Sequence, residues 1–230
     1  MSIFSTKPKV LFFDVNETLL DMTGVKARVG NVLSDSKAAE LWFTTTLQYS
    51  LVMSVSDQYA EFSEIGAATL KMIARKNGID LSETKAKETL SPMRTLPPHP
   101  DVKAALGCLK ARGWRMAVLS NSSKSGMKAQ MAHAELEHFL ERQMSVESVG
   151  KFKPHADVYQ WATNEMNIDS SECMLVAAHG WDVAGAKWAG WQTAFIGRKG
   201  EQTFPLGPKP DIEEANLLDF ASSLNKKFTN

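Results

Sequence analysis

The sequence is short of cysteine, of net charge and of long apolar runs, and each shortage excludes something. Its two cysteines, Cys108 and Cys173, form neither a CxxC pair nor a Cys/His cluster. A disulfide framework and a structural zinc site are therefore not expected, and a reducing compartment is. Both thiols have apolar neighbours and are expected to be small core residues. Basic and acidic residues number 26 each, so the formal charge is zero. With no basic surplus to meet a phosphate backbone, no nucleic-acid partner is expected. The N-terminal MSIFSTKPKVLFFDV has no apolar segment followed by a small-residue cleavage site. Its apolar run breaks at Asp14, far short of a membrane span. A cytoplasmic protein without membrane contact is the expectation.

What is present is the composition of a globular protein, 43% hydrophobic and 23% charged over 230 residues, enough for one full core. Short apolar runs at residues 9–14 (KVLFFD), 116–120 (MAVLS), 174–178 (MLVAA) and 193–196 (TAFI) suit strands buried on both faces. Helical patterns at 101–112, 123–134, 157–166 and 183–189 alternate with them, and Gly113 stands where a helix would be capped. Strands alternating with helices predict an α/β fold with a doubly wound parallel sheet. The alternation stops between Glu17 and Leu96. Residues 38–53, 57–78 and 81–93 read as helices, closed by the stiff TLPPHP at 95–100. Residues 17–96 are thus expected to form a helical cap domain, inserted into a core of residues 1–16 and 97–230. A single mixed α+β domain is the alternative.

Ligands of parallel α/β sheets bind at the carboxyl ends of the strands. The polar residues there are Asp14, Asn16, Glu17 and Thr18 after the first run, Ser120 and Asn121 after the second, then Lys153, and His179 and Asp182 after MLVAA. Taken singly, Ser-Asn is a common turn or cap and Lys-Pro a common loop. Together they bring a carboxylate, hydroxyl, amide, amine and imidazole to one rim.

FDVNETLLD, VLSNSS, GKFKPHADVY and VAAHGWDVAGA, in that order, resemble the four motifs of the haloacid dehalogenase superfamily. The match is closest to its type II 2-haloacid dehalogenase branch, through GWDVAGAKWAG and the spacing from Lys153 to Tyr159. The resemblance implies a Rossmann-like core with an inserted cap, a small-molecule 2-haloacid substrate and no cofactor or metal. Phosphatases of the superfamily carry a second aspartate where this chain has Asn16. That acid protonates a departing alkoxide, and magnesium offsets the charge of phosphoryl transfer. Halide leaves unprotonated, so losing the acid favours a carbon–halogen substrate. A magnesium-dependent phosphatase, or a catalytically silent binding protein, are the competing readings.

On this reading Asp14 attacks the α-carbon and forms an ester, which water then hydrolyses. Lys153 keeps Asp14 ionised. Ser120, Asn121 and the backbone amides near Val15 and Asn16 hold the substrate carboxylate. The resemblance further implies that Thr18 braces the loop, that Tyr159 belongs to the site and that Trp181 lines the halide cradle, plain core packing being the alternative for Trp181. The sequence departs from the branch twice. Ala177 and His179 replace a serine and an asparagine, and Phe43 follows Trp42 where the cap arginine is expected. His179, as a neutral imidazole oriented by Glu17, is the expected base for ester hydrolysis, with Asp182 positioning Lys153 or the water. In the alternative, His179 only bonds the first loop and Asp182 is the base. The apolar residues of LWFTTTLQYSLVM could supply a homodimer face or an intramolecular one.

Overall fold

The computed structural model describes residues 6–228, so the opening MSIFS lies outside the described residues. Six strands form one parallel sheet: β1 (Val10–Phe13), β2 (Arg115–Ser120), β3 (Arg142–Ser145), β4 (Cys173–Ala177), β5 (Gln192–Ile196) and β6 (Ile212–Glu214). Their order is β3-β2-β1-β4-β5-β6. β1 lies centrally, and all four of its residues are fully buried, as its unbroken VLFF run requires. Phe13 is in register with Val118 of β2 and Val176 of β4, which brings the carboxyl ends of three strands to one level. The apolar runs identified β1, β2, β4 and β5. They missed β3 and β6 because these are the two edge strands, partly open to solvent, where RQMS and IEE carry no such run.

Between β1 and β2 the chain forms α1 (Thr23–Leu33), α2 (Ala38–Val55), α3 (Phe62–Lys76), α4 (Glu83–Leu90) and a 3-10 turn over Ser91–Thr95. The helix expected from residue 57 begins only at Phe62, where Glu61 and Glu64 make a reciprocal capping box. The one expected to reach Met93 tightens after Leu90, because Pro92 lacks the N–H to continue it. The chain leaves and re-enters the sheet side by side: Asp21 N donates to Pro97 O (2.8 Å) and His99 N to Leu19 O (2.9 Å).

The remaining helices are α5 (Val102–Ala111), α6 (Lys124–His133), α7 (Ala156–Met166), α8 (Gly180–Trp188) and α9 (Leu217–Phe228). In α5 the buried stripe is Val102, Ala105, Leu106 and Leu109. Cys108 falls off that stripe and is exposed, contrary to expectation, whereas Cys173 on β4 is buried. No helix among the described residues is long and apolar enough to cross a membrane.

Helices α2 and α3 are joined by Trp42 Nε1 donating to Gly66 O (2.9 Å) and by a 2.8 Å contact between the Thr46 and Thr69 hydroxyls. The hydroxyls of Thr46, Ser50 and Ser54 each donate to the carbonyl one turn earlier. Ser54 Oγ also accepts from Phe152 N (2.9 Å), and the Phe152 ring packs against Tyr59 and Phe62. A cavity of about 290 Å³ opens between this helical layer and the sheet's loops, walled by Trp42, Phe62, Leu90, Met93, Ser122 and Gln130.

Candidate active site

The backbone of β1 delivers Asp14, whose N–H bonds Val176 O (3.1 Å). β2 ends at Ser120, and β4 runs through Ala177 and Ala178 to His179, the residue capping α8. Lys153 comes from the loop after β3. The structure therefore brings the residues selected from the motifs to one rim, and most of them are almost wholly buried.

Lys153 is the hub. Its Nζ donates to Asp14 Oδ1 (2.9 Å), Asp182 Oδ2 (2.6 Å) and Leu119 O (2.8 Å). All three ammonium protons are thus used in a site with 0% side-chain exposure at Lys153 and Asp182. Burial works against the charge on Lys153, but Asp14 and Asp182 outweigh it and raise its pKa. The second oxygen of Asp14 accepts from Thr18 Oγ1 (2.7 Å) and pairs with His179 Nδ1 (3.0 Å). Burial would raise the pKa of Asp14, yet Lys153 and His179 drive it well below the ordinary carboxylate range. Asp182 goes the other way: burial and the charge of Asp14 outweigh Lys153 and Tyr159, and its pKa rises.

Thr18 accepts from Ala178 N (2.9 Å) while donating to Asp14, so it fastens the first loop to the end of β4. Val15 O accepts from the N–H groups of Leu19 and Leu20, which closes that loop into a tight turn. Asn16 is turned toward α6, where its Oδ1 accepts from Gln130 Nε2 (3.0 Å). Ser120 Oγ accepts from Ser122 N (3.1 Å) and keeps its own proton to donate. Asn121 Oδ1 accepts from Lys153 N (2.9 Å), fixing the lysine's backbone.

Tyr159, expected at the substrate, lies instead behind Asp182. It is fully buried and its hydroxyl donates to Asp182 Oδ1 (2.6 Å). Gly185 on α8 makes this packing possible, because a Cβ there would overlap Pro154 and press on the Tyr159 hydroxyl.

The expected histidine–glutamate pair is assembled: His179 Nε2 lies 3.1 Å from Glu17 Oε2. Its protonation differs from expectation. Burial alone would lower the imidazole pKa, but hydrogen bonds to Asp14 and Glu17 push it up to about 10, so the ring is a cation at neutral pH. A neutral imidazole with a pKa near 6.5 does not describe this environment. The ring stacks between Phe43 (5.9 Å) and Trp181 (5.1 Å), so the two departures from the branch pattern, Phe43 and His179, touch each other. Glu17 takes φ +60°, a left-handed conformation uncommon outside glycine. His179 and Lys26 hold it there.

Several contributors were not anticipated. Lys26 pairs with Glu17 and with Glu40 (2.9 Å). Gln130 holds Asn16, and Arg198 donates to Thr18 O (3.0 Å) while bound to Asp101. All come from distant elements without motif character.

The donor set does not suit a divalent cation. Both oxygens of Asp14 and both of Asp182 are bonded to Lys153, Thr18, His179 or Tyr159, and a metal would have to displace cations. Glu17, His179 and Glu201 do gather within 4.8 Å of one another. There Lys26 already pairs with Glu17, and both imidazole nitrogens are committed to carboxylates.

A family model described as haloacid dehalogenase-like hydrolase matches residues 8–190. The chain is 30% identical over 216 residues to (S)-2-haloacid dehalogenase H-109 of Pseudomonas putida, covering 93% of this chain and 96% of that one. It is 30% identical over 211 residues to haloacetate dehalogenase H-2 of Moraxella sp. (strain B), covering 90% and 93%. Among solved structures, the L-2-haloacid dehalogenase of Xanthobacter autotrophicus with chloropropionic acid covalently bound superposes with a TM-score of 0.88. That match has 21% identity and covers 97% of this chain and all of the other.

Proposed function

Because the chain belongs to the haloacid dehalogenase-like hydrolases, we propose that it hydrolyses short 2-haloalkanoic acids to 2-hydroxy acids without a metal, through an ester on Asp14. The observation that carries this reading is Asp14 itself, a buried carboxylate held ionised by Lys153, with no second acid at position 16. Such a group is a nucleophile toward carbon, and the carboxylic acid that protonates the alkoxide in the superfamily's phosphatases is replaced here by Asn16. The names of the relatives favour the (S)-enantiomer.

In the first step an Asp14 oxygen bonds to the α-carbon as the carbon–halogen bond breaks, and the halide departs with the bonding pair. Back-side attack inverts that carbon. In the second step water adds to the Asp14 carboxyl carbon, the ester C–O bond on that side breaks, and the 2-hydroxy acid leaves. One proton is released per turnover. Ser120, Asn121 and the turn around Val15 and Asn16 hold the substrate carboxylate, and Trp181 and Phe43 wall the halide side. Tyr159 acts through Asp182, keeping that carboxylate on Lys153. Residues 17–96 serve as a cap over a core formed by 1–16 and 97–230.

The test is halide release from both 2-bromopropionate enantiomers in excess EDTA, with a single turnover in ¹⁸O-water. Release from one enantiomer, with ¹⁸O entering Asp14, is the expected result. Loss of activity on chelation, or label appearing only in the product hydroxyl, would overturn the proposal.

A further inference from the structure

His179 faces a contradiction: it sits where a base for the second step belongs, yet the resting enzyme holds it as a cation. Its surroundings resolve this. Two anions face the ring directly, Asp14 from the end of β1 and Glu17 from the loop after it. Lys26 on α1 neutralises much of Glu17 and is itself shared with Glu40 on α2. Glu201, after β5, is a more distant anion. The groups stacked on the two ring faces, Phe43 and Trp181, carry no charge. Asp14 is itself shared with Lys153 through Oδ1, and Lys153 with Asp182, but its Oδ2 is the oxygen bonded to Nδ1, and Asp14 is the group that the first step esterifies.

We propose that His179 is the base of the second step and that forming the Asp14 ester is what arms it. The inference rests on the dehalogenase reading above. Alkylation turns the Asp14 carboxylate into a neutral ester, and the imidazolium loses its strongest partner and gives one proton to solvent. Glu17 keeps the remaining proton on Nε2. The bare Nδ1 then faces the Asp14 carboxyl group, where it takes a proton from the attacking water. Collapse of the tetrahedral intermediate regenerates the Asp14 carboxylate and frees the hydroxy acid, whose oxygen takes its proton from the new imidazolium. That oxygen's proton comes from the water, so His179 is left neutral beside a restored Asp14 carboxylate and recaptures one proton from solvent. Protons balance: the one lost on alkylation returns, and the water's second proton is the one released with the acid. The timing protects the first step, since a histidine that is still charged cannot activate water against unspent substrate.

The experiment separates the two steps by rapid quench with 2-bromopropionate, following free halide and the mass of the covalent enzyme from pH 5 to 9. In the unaltered enzyme, ester breakdown is expected to slow about tenfold per unit as pH falls below the titration of His179 in the ester, while halide release in the first turnover stays level. His179→Gln should give a burst of one halide per enzyme and retain the ester, breaking it down roughly 10²–10⁴-fold more slowly with no pH limb. Glu17→Gln, which keeps the imidazole, should move the limb to lower pH. Breakdown at the normal rate in His179→Gln, or a limb that survives that substitution, would overturn the assignment of the base alone. If neither enzyme releases halide, the dehalogenase reading falls and takes this inference with it.

Discussion

The rim at the strand ends and the cavity beside it adjoin, yet they are built on opposite terms. At the rim, Asp14, Lys153, His179 and Asp182 are nearly or wholly buried and bonded to one another, so every charge has a counter-charge. The cavity is walled chiefly by Trp42, Phe62, Leu90 and Met93, and Gln130 and Ser122 connect the two regions through Asn16 and Ser120. Even within the rim, environment decides behaviour. Asp14 and Asp182 share one lysine, but Asp14 also has His179, and their pKa values shift in opposite directions. Charges at the rim determine the chemistry, and the apolar walls determine only shape.

Substitutions should separate the two regions by size of effect. Lys153→Met removes the shared cation and leaves two buried carboxylates facing each other. It is expected to cost about 3–5 kcal/mol in denaturant unfolding and to abolish halide release. Intact stability would show that the rim is not held together by its charges.

The pH dependence of stability is the next effect. His179 rises from its ordinary 6.5 to about 10. Its contribution is therefore fully present below about pH 6.5 and is lost as pH climbs through 10. Asp14 is shifted downward, so its contribution is present above the ordinary carboxylate range and lost as pH falls below it. The stability difference between the native protein and His179→Gln should accordingly shrink from pH 6.5 to 10 in urea titrations. A constant difference would mean that His179 is not held as a cation.

The smallest effect belongs to the cavity. Leu90→Met, a change of nearly equal volume, should cost less than about 1.5 kcal/mol. It should leave halide release from bromoacetate within about twofold; a larger loss of rate would join the two regions into one.

The central strands and the charged rim were legible because each has a local signature. An unbroken apolar run marks a strand buried on both faces, and chemically distinctive polar residues follow three of the four runs. β3 and β6 lacked that signature because edge strands need not be apolar. Cys108 was misplaced because its apolar neighbours lie on the buried stripe of α5 and it does not. At the rim, the identities of Asp14, Lys153, His179 and Asp182 were readable, but the charge on His179 was not. That charge depends on two carboxylates converging from another loop, with Lys26 beyond them. Lys26, Gln130 and Arg198 had no signal at all, since a single long-range bond leaves no pattern in the chain.

One bond between the layers reaches further than its strength suggests. Ser54 on α2 accepts the amide of Phe152, the residue immediately before the hub lysine, and that ring lies among Tyr59 and Phe62. Any breathing of the helices away from the sheet must either rupture this link or tug the lysine off its two carboxylates. Deuterium exchange at the Phe152 amide would accordingly act as a gauge of how often the site comes apart.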